Sequence, residues 1–204
     1  MPDIAMRQQA FTTLLLLLLA FALWFAAEPL FNAPAKWLAH ILLTTWLPSV
    51  VATTIFEPSG LVVVTAYADL GNGTLQPIRA GEEALAFRLN TRLVSYGIPF
   101  YAALLWGSRI AGPMNRFAWG LFVMWLFMAL GLAAMAAKDM LLVLGDPFLS
   151  APWVPAPPVI AVGYQFSVLL MPTVIPVLLW VLQLRGSPLW LRLEDQLANS
   201  RSKE

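Results

Sequence analysis

Few side chains in this sequence could do chemistry, and their spacing limits what that chemistry could be. There is a single histidine, His40, and no cysteine. A serine–histidine hydrolase needs its base within hydrogen-bond reach of the nucleophile. No serine lies within a helical turn of His40 in LFNAPAKWLAHILLTTW. His40 therefore reads as a histidine near lipid head groups. The missing cysteine excludes disulfides, thiolate metal sites and a cysteine nucleophile. Metal binding needs three or four clustered ligands, and the acids are scattered, so no metal and no cofactor are expected. Gly71-Asn72-Gly73 lacks a lysine and a following helix, so it reads as a hairpin turn rather than a phosphate loop. Asn72-Gly73-Thr74 matches a glycosylation sequon, which matters only in a eukaryotic secretory route.

The remaining polar groups are binding candidates. Lys138-Asp139 stands at the end of an apolar run, where ionisable residues are functional suspects but also snorkel easily to the interface. Glu82-Glu83 reads as a solvated turn. Tyr96, Tyr164 and Gln165 lie near the ends of apolar segments, where they either pack between helices or line a groove that grips a peptide or a partner's helix. The weak binding candidates are thus Tyr96, Asp139, Tyr164 and Gln165, and no residue is assigned a catalytic role.

The elements that carry these residues are those of a membrane protein. Of 204 residues, 60% are hydrophobic and 11% charged, less than half the charge of an ordinary soluble domain. No ionisable residue falls between Arg7 and Glu28, Arg116 and Lys138, or Asp146 and Arg185. A membrane crossing takes about 20 such residues. A net charge of +1 gives no nucleic-acid signature. The pattern predicts an α-helical integral membrane protein of one membrane domain. It has about four transmembrane helices, an interfacial amphipathic helix and a small extramembrane β element.

The predicted spans are residues 8–28, 93–110, 117–138 and 159–184. The first could be a signal peptide with cleavage near Ala26–Ala27, but its apolar run is long and Trp24 and Phe25 suit an interface, so a retained anchor is expected. Residues 29–92 are read as periplasmic. Lys36, His40 and Thr44 oppose Trp37, Leu38 and Ile41, so an amphipathic helix lying on the membrane and ending near Pro48 fits better than a second span, although residues 41–56 carry no charge. Beyond it, the run Val62–Thr65 and the alternation in ALAFRLNTR predict two or three strands within 59–92.

The segment LVSYGIPFYAALLWG follows as the second span, with Pro99 in its first turns. The sixteen uncharged residues between Arg92 and Arg109 make about 24 Å of helix, short of the core unless those two arginines snorkel outward. In the third span, Gly131, Ala133, Ala134, Ala136 and Ala137 would let another helix approach closely. Residues 145–158 form a proline-rich linker in which Phe148 and Trp153 suit the interface. Pro172 and Pro176 predict a kink in the fourth span. The tail, 185–204, reads as a short amphipathic helix with a frayed end. Four spans put both termini on one side with seven basic residues, against five on the other, which places both termini in the cytoplasm.

The order FALWFAAEPLF, GLVVVTAYAD, NTRLVSYGIPFYAALL and VGYQFSVLLMPTVIPVLLW resembles the exosortase H-associated membrane proteins of Gram-negative bacteria. Tyr96, Gly97 and Pro99, with Gly163, Tyr164, Pro172 and Pro176, carry most of the resemblance, which runs over most of residues 14–184. It implies a role in the inner membrane beside an exosortase, a cysteine transpeptidase that processes proteins bearing a C-terminal sorting signal. A chain without cysteine cannot carry that activity itself. The resemblance therefore implies a non-catalytic accessory subunit whose partners are membrane lipids and an exosortase or another integral membrane subunit. The other reading is a structural subunit of a respiratory or oxygenase-type complex.

Overall fold

The computed structural model describes residues 2–69, 74–79, 81–185 and 190, with side chains described from residue 11 onward. The predicted turn and sequon at 71–74 therefore fall largely outside the described residues, as does the tail apart from Arg185 and Trp190.

The first helix departs most from expectation. α1 runs unbroken from Pro2 to Trp46, through Pro29 and Pro34. Its 45 residues make about 68 Å of helix, more than twice a hydrocarbon core of about 30 Å. The separate interfacial helix predicted before Pro48 does not exist, because α1 simply continues. Each proline removes one backbone donor. Side-chain bonds around them hold the stretch together: Asn32 Nδ2 donates to Glu28 Oε1 at 3.4 Å, and Trp125 Nε1 donates to the Phe31 carbonyl at 2.8 Å.

Five strands follow, more than the two or three predicted. β1 (Val51–Glu57), β2 (Gly60–Thr65) and β5 (Ala86–Asn90) form an antiparallel sheet in the order β1-β2-β5. β3 (Tyr67–Asp69) and β4 (Leu75–Pro77) form a second, two-stranded sheet. β1 starts earlier than the predicted β element, in the uncharged stretch 41–56. In the larger sheet the register aligns Thr54 with Val63 and Phe87, and Phe56 with Leu61 and Leu89. Alternation puts these on one face. Leu61, Val63 and Leu89 are fully buried, whereas Ile55 on the opposite face is exposed.

The predicted second span is broken. α2 (Arg92–Ser95) stops at Tyr96, and α3 covers only Gly97–Gly107. Pro99 has no N–H to offer the Ser95 carbonyl, so the ladder is interrupted there. α4 then runs from Pro113 to Leu144, and a short α5 (Asp146–Leu149) interrupts the predicted linker. Phe148, expected at the membrane interface, is fully buried. Trp153 is 89% exposed and holds a left-handed φ of 65°.

α6 (Pro157–Gln165), a π-helical turn (Phe166–Leu170) and α7 (Met171–Leu184) form one helical run. The π turn adjoins Pro172, and the Met171 N–H reaches back five residues to the Phe166 carbonyl. Such turns absorb a lost donor without ending a helix.

Among the described residues, three helices are long and apolar enough to cross a membrane: Phe11–Trp46, Pro113–Leu144 and Pro157–Leu184. The chain is thus a largely helical membrane protein with a small β element.

The chain divides into two compact units. One comprises residues 1–26, 97–124 and 173–204, and the other 27–96 and 125–172. The first unit gathers segments of α1, α3, α4 and α7. The second holds both sheets, the C-terminal part of α1, α2, most of α4, α5, α6 and the π turn.

Candidate functional site

In the second unit α1 presents Glu28, Asn32, Lys36, His40 and Thr44, each four residues from the last. Residues at that spacing share a face that drifts slowly around the helix. Ala35, Ala39 and Leu43 beside them are fully buried, while Leu30, Trp37 and Ile41 are exposed on the other side. The stripe is a seam between α1 and the β element.

At its start Glu28 is only 1% exposed. Arg92 Nε donates to Glu28 Oε2 at 2.6 Å, and Thr91 Oγ1 donates to Glu28 Oε1 at 3.3 Å. Asn32 Nδ2 lies 3.4 Å from both Glu28 Oε1 and Thr91 Oγ1. A carboxylate in so dry a place needs a cation and further donors, and it has both. The β5–α2 junction is thereby pinned to α1. Asn32 Oδ1 is buried without a hydrogen-bond partner.

Farther along, Lys36 Nζ donates to the carbonyls of Glu57 (2.7 Å) and Pro58 (3.2 Å), capping the β1–β2 turn. Arg88 Nε stands 2.7 Å from Glu57 Oε2, a charge contact rather than an aligned hydrogen bond. His40 Nδ1 lies 2.9 Å from Thr54 Oγ1, and its ring meets Phe56 edge-on at 6.1 Å between centroids. The Thr44 hydroxyl donates to the His40 carbonyl at 2.8 Å. A histidine beside a hydroxyl has the outline of a base and nucleophile. Thr54, however, is buried between helix and sheet, where a substrate has no approach.

The sequence candidates divide. Lys138 Nζ pairs with Asp139 Oδ1 at 2.7 Å and lies 4.9 Å from the centre of the Tyr164 ring, so Asp139 and Tyr164 belong to one cluster through Lys138. Gln165 is exposed at the end of α6, next to the π turn. Tyr96 is half-buried at the α2–α3 joint, and no hydrogen bond or ring contact joins it to Asp139, Tyr164 or Gln165. Tyr164→Ala removes one partly exposed cation–π contact, so a loss of about 1 kcal/mol or less is expected, read as a small drop in melting temperature in detergent.

The small residues of α4 are already occupied from within. Ala133, Ala136 and Ala137 are buried, and a Cβ on Gly131 would come within 2.9 Å of Val94 Cγ1. Gly131 lets α2 and the π turn approach α4, so this face is not left for another protein.

A second polar network lies in the first unit. Tyr101, fully buried on α3, places its hydroxyl 2.7 Å from Gln183 Oε1 and 2.9 Å from the Arg116 carbonyl. Gln183 Nε2 donates to that same carbonyl at 3.2 Å, and Arg116 Nη1 donates to the Gln183 carbonyl. Trp180 Nε1 donates to Ser108 Oγ at 2.6 Å. α3, α4 and α7 are thus locked together at the α3–α4 turn.

Sequence reasoning missed Glu28, Arg92 and Tyr101. The five polar residues at steps of four were a readable signal for the seam, hidden by the expected end of the first span at residue 28. Among the described residues no three acids or histidines cluster as a metal site would.

Comparison with curated proteins and with solved structures gives no match. A family model does match, that of the exosortase H-associated membrane protein, over residues 3–187. That match covers most of the chain, and the chain belongs to the exosortase H-associated membrane protein family.

Proposed function

We propose that this chain is a non-catalytic accessory subunit of an exosortase-type sorting system in the bacterial inner membrane. It holds a small β platform on the outer face for the exosortase or its substrate. The observation that carries this reading is the seam. Glu28, Lys36 and His40, on α1, are each engaged in fixing the β element or its junction with α2. They hold a surface in place rather than facing an open site. With the α4 small-residue face filled, association falls to other surfaces, among them the exposed sheet face bearing Ile55.

Both termini lie in the cytoplasm in this reading. In this reading the chain crosses four times, the three long apolar helices being joined by α2–α3 as a short crossing. Arg109, Arg116 and Arg185 then share the cytoplasmic side, as positive-inside bias requires.

The test is co-purification of the tagged chain with the cognate exosortase in mild detergent. Recovery of both proteins together is expected, and sorting should persist when His40, Asp139 or Tyr164 is singly replaced by alanine. Recovery of the chain alone with normal sorting in a deletion strain would contradict the association. Loss of sorting in one of those variants, with the complex intact, would contradict the non-catalytic role.

A further inference from the structure

Among the described residues, the first unit ends in arginines that pair with no carboxylate. Arg109 is exposed in the turn after α3 and holds a left-handed φ of 51°. Its neighbours fix it there: Ser108 accepts the Trp180 N–H, and Ile110 is buried. Arg116 bonds to the Ala111 carbonyl through Nε at 3.2 Å and to the Gln183 carbonyl through Nη1. Arg185 is exposed two residues beyond Gln183. Three arginines from the α3–α4 turn, the start of α4 and the end of α7 therefore stand on segments that the Trp180–Ser108 and Arg116–Gln183 bonds hold together at one end of the unit. Among the described residues the salt bridges involve Arg88, Arg92 and Lys138 and none of these three.

Arg116 uses only part of its donor fork on backbone carbonyls, so N–H groups remain for an anion. The surface flanking the cluster is apolar: Met114, Trp119 and Phe122 on α4, and Leu178 and Leu182 on α7, are all exposed. A free anion would use the charges alone. A phospholipid uses both, with its phosphate on the guanidiniums and its acyl chains along the apolar helix faces.

We propose that Arg109, Arg116 and Arg185 form a binding site for the headgroup of an anionic phospholipid. The Tyr101–Gln183–Arg116 network and the Trp180–Ser108 bond preorganise the three cations. The site does not depend on the exosortase partner. Each exposed arginine near an anionic headgroup strengthens the interaction severalfold.

The test is native mass spectrometry of the full chain released from nanodiscs of phosphatidylglycerol and phosphatidylcholine mixed equally. Retention of phosphatidylglycerol is expected to exceed that of phosphatidylcholine about tenfold or more. The double variant Arg109→Gln with Arg185→Gln leaves the Arg116–Gln183 bonds in place, and it should lose most of that preference without a change in melting temperature. Millimolar inorganic phosphate should leave the retained lipid in place. Equal retention of the two lipids, an undiminished preference in the double variant, or displacement by inorganic phosphate would each overturn the lipid assignment.

Discussion

Replacing Glu28 with alanine is expected to destabilise the second unit more than any other single change to a charged residue. The substitution strands Arg92, Thr91 and Asn32, all of which bond to one carboxylate in a place with almost no water. Breaking a buried ion pair from one side costs roughly 3–5 kcal/mol, and the part-exposed Arg92 puts the expected loss near the lower end. Glu28→Gln keeps the shape and the neutral bonds and should fall between wild type and alanine. Restoring neutrality tests the cause. Glu28→Gln combined with Arg92→Gln should recover part of the loss, because no lone charge remains. Thermal melting in detergent checks the series, with limited proteolysis of the β element as a local readout. Equal melting of wild type and Glu28→Ala would mean that the seam does not hold the platform.

The second large effect lies at Gly120. A Cβ built there would sit 2.2 Å from the Tyr101 oxygen and 2.3 Å from Cζ of its ring. Tyr101 is fully buried and stacks against Phe117 at 5.9 Å, so the ring has no free direction of retreat. Gly120→Val must push it away from Gln183 and the Arg116 carbonyl. Overpacking of this kind costs about 1–3 kcal/mol, and each hydrogen bond lost with it adds about 1 kcal/mol. Tyr101→Phe removes the hydroxyl without the clash and should cost about 1 kcal/mol. Tyr101→Ala with Gly120→Ala should be less than the sum of the two single losses, since the first makes room for the second. Strict additivity of that pair, measured by melting temperature, would show that Tyr101 does not lie over Gly120.

The parts of the fold legible in the sequence were those set by local composition. α4 and the α6–α7 run follow from long apolar stretches, whereas the span expected over 93–110 is broken ahead of Pro99. β2 and β5 follow from a β-branched run and an alternating one. The parts that were not legible depend on partners distant in the chain. Pro29 and Pro34 look like breakers until Trp125 and Asn32 are seen to support the helix around them. Glu28 looks like the polar end of a span until Arg92, sixty-four residues away, is found beside it. β1 is nearly uncharged and could continue a helix. Only pairing with β2 makes it a strand. Phe148 and Trp153 are both aromatic in a proline-rich stretch, yet one is buried and the other exposed, which composition alone does not distinguish. Of the candidate site, the Lys138–Asp139 pair was visible because its members are adjacent, whereas its contact with Tyr164 needed the fold.

The central claim is that the C-terminal part of α1 is one continuous helix docked on the sheet through its polar stripe. The absence of native cysteine allows a direct measurement. His40→Cys with Thr54→Cys, in native membranes under mild oxidation, should form an intramolecular disulfide rapidly, because the two side chains touch at 2.9 Å. Trp37→Cys with Thr54→Cys, with Trp37 exposed on the other side of α1, should not. If the second pair crosslinks and the first stays reduced and open to a water-soluble maleimide, α1 does not hold the β element as described.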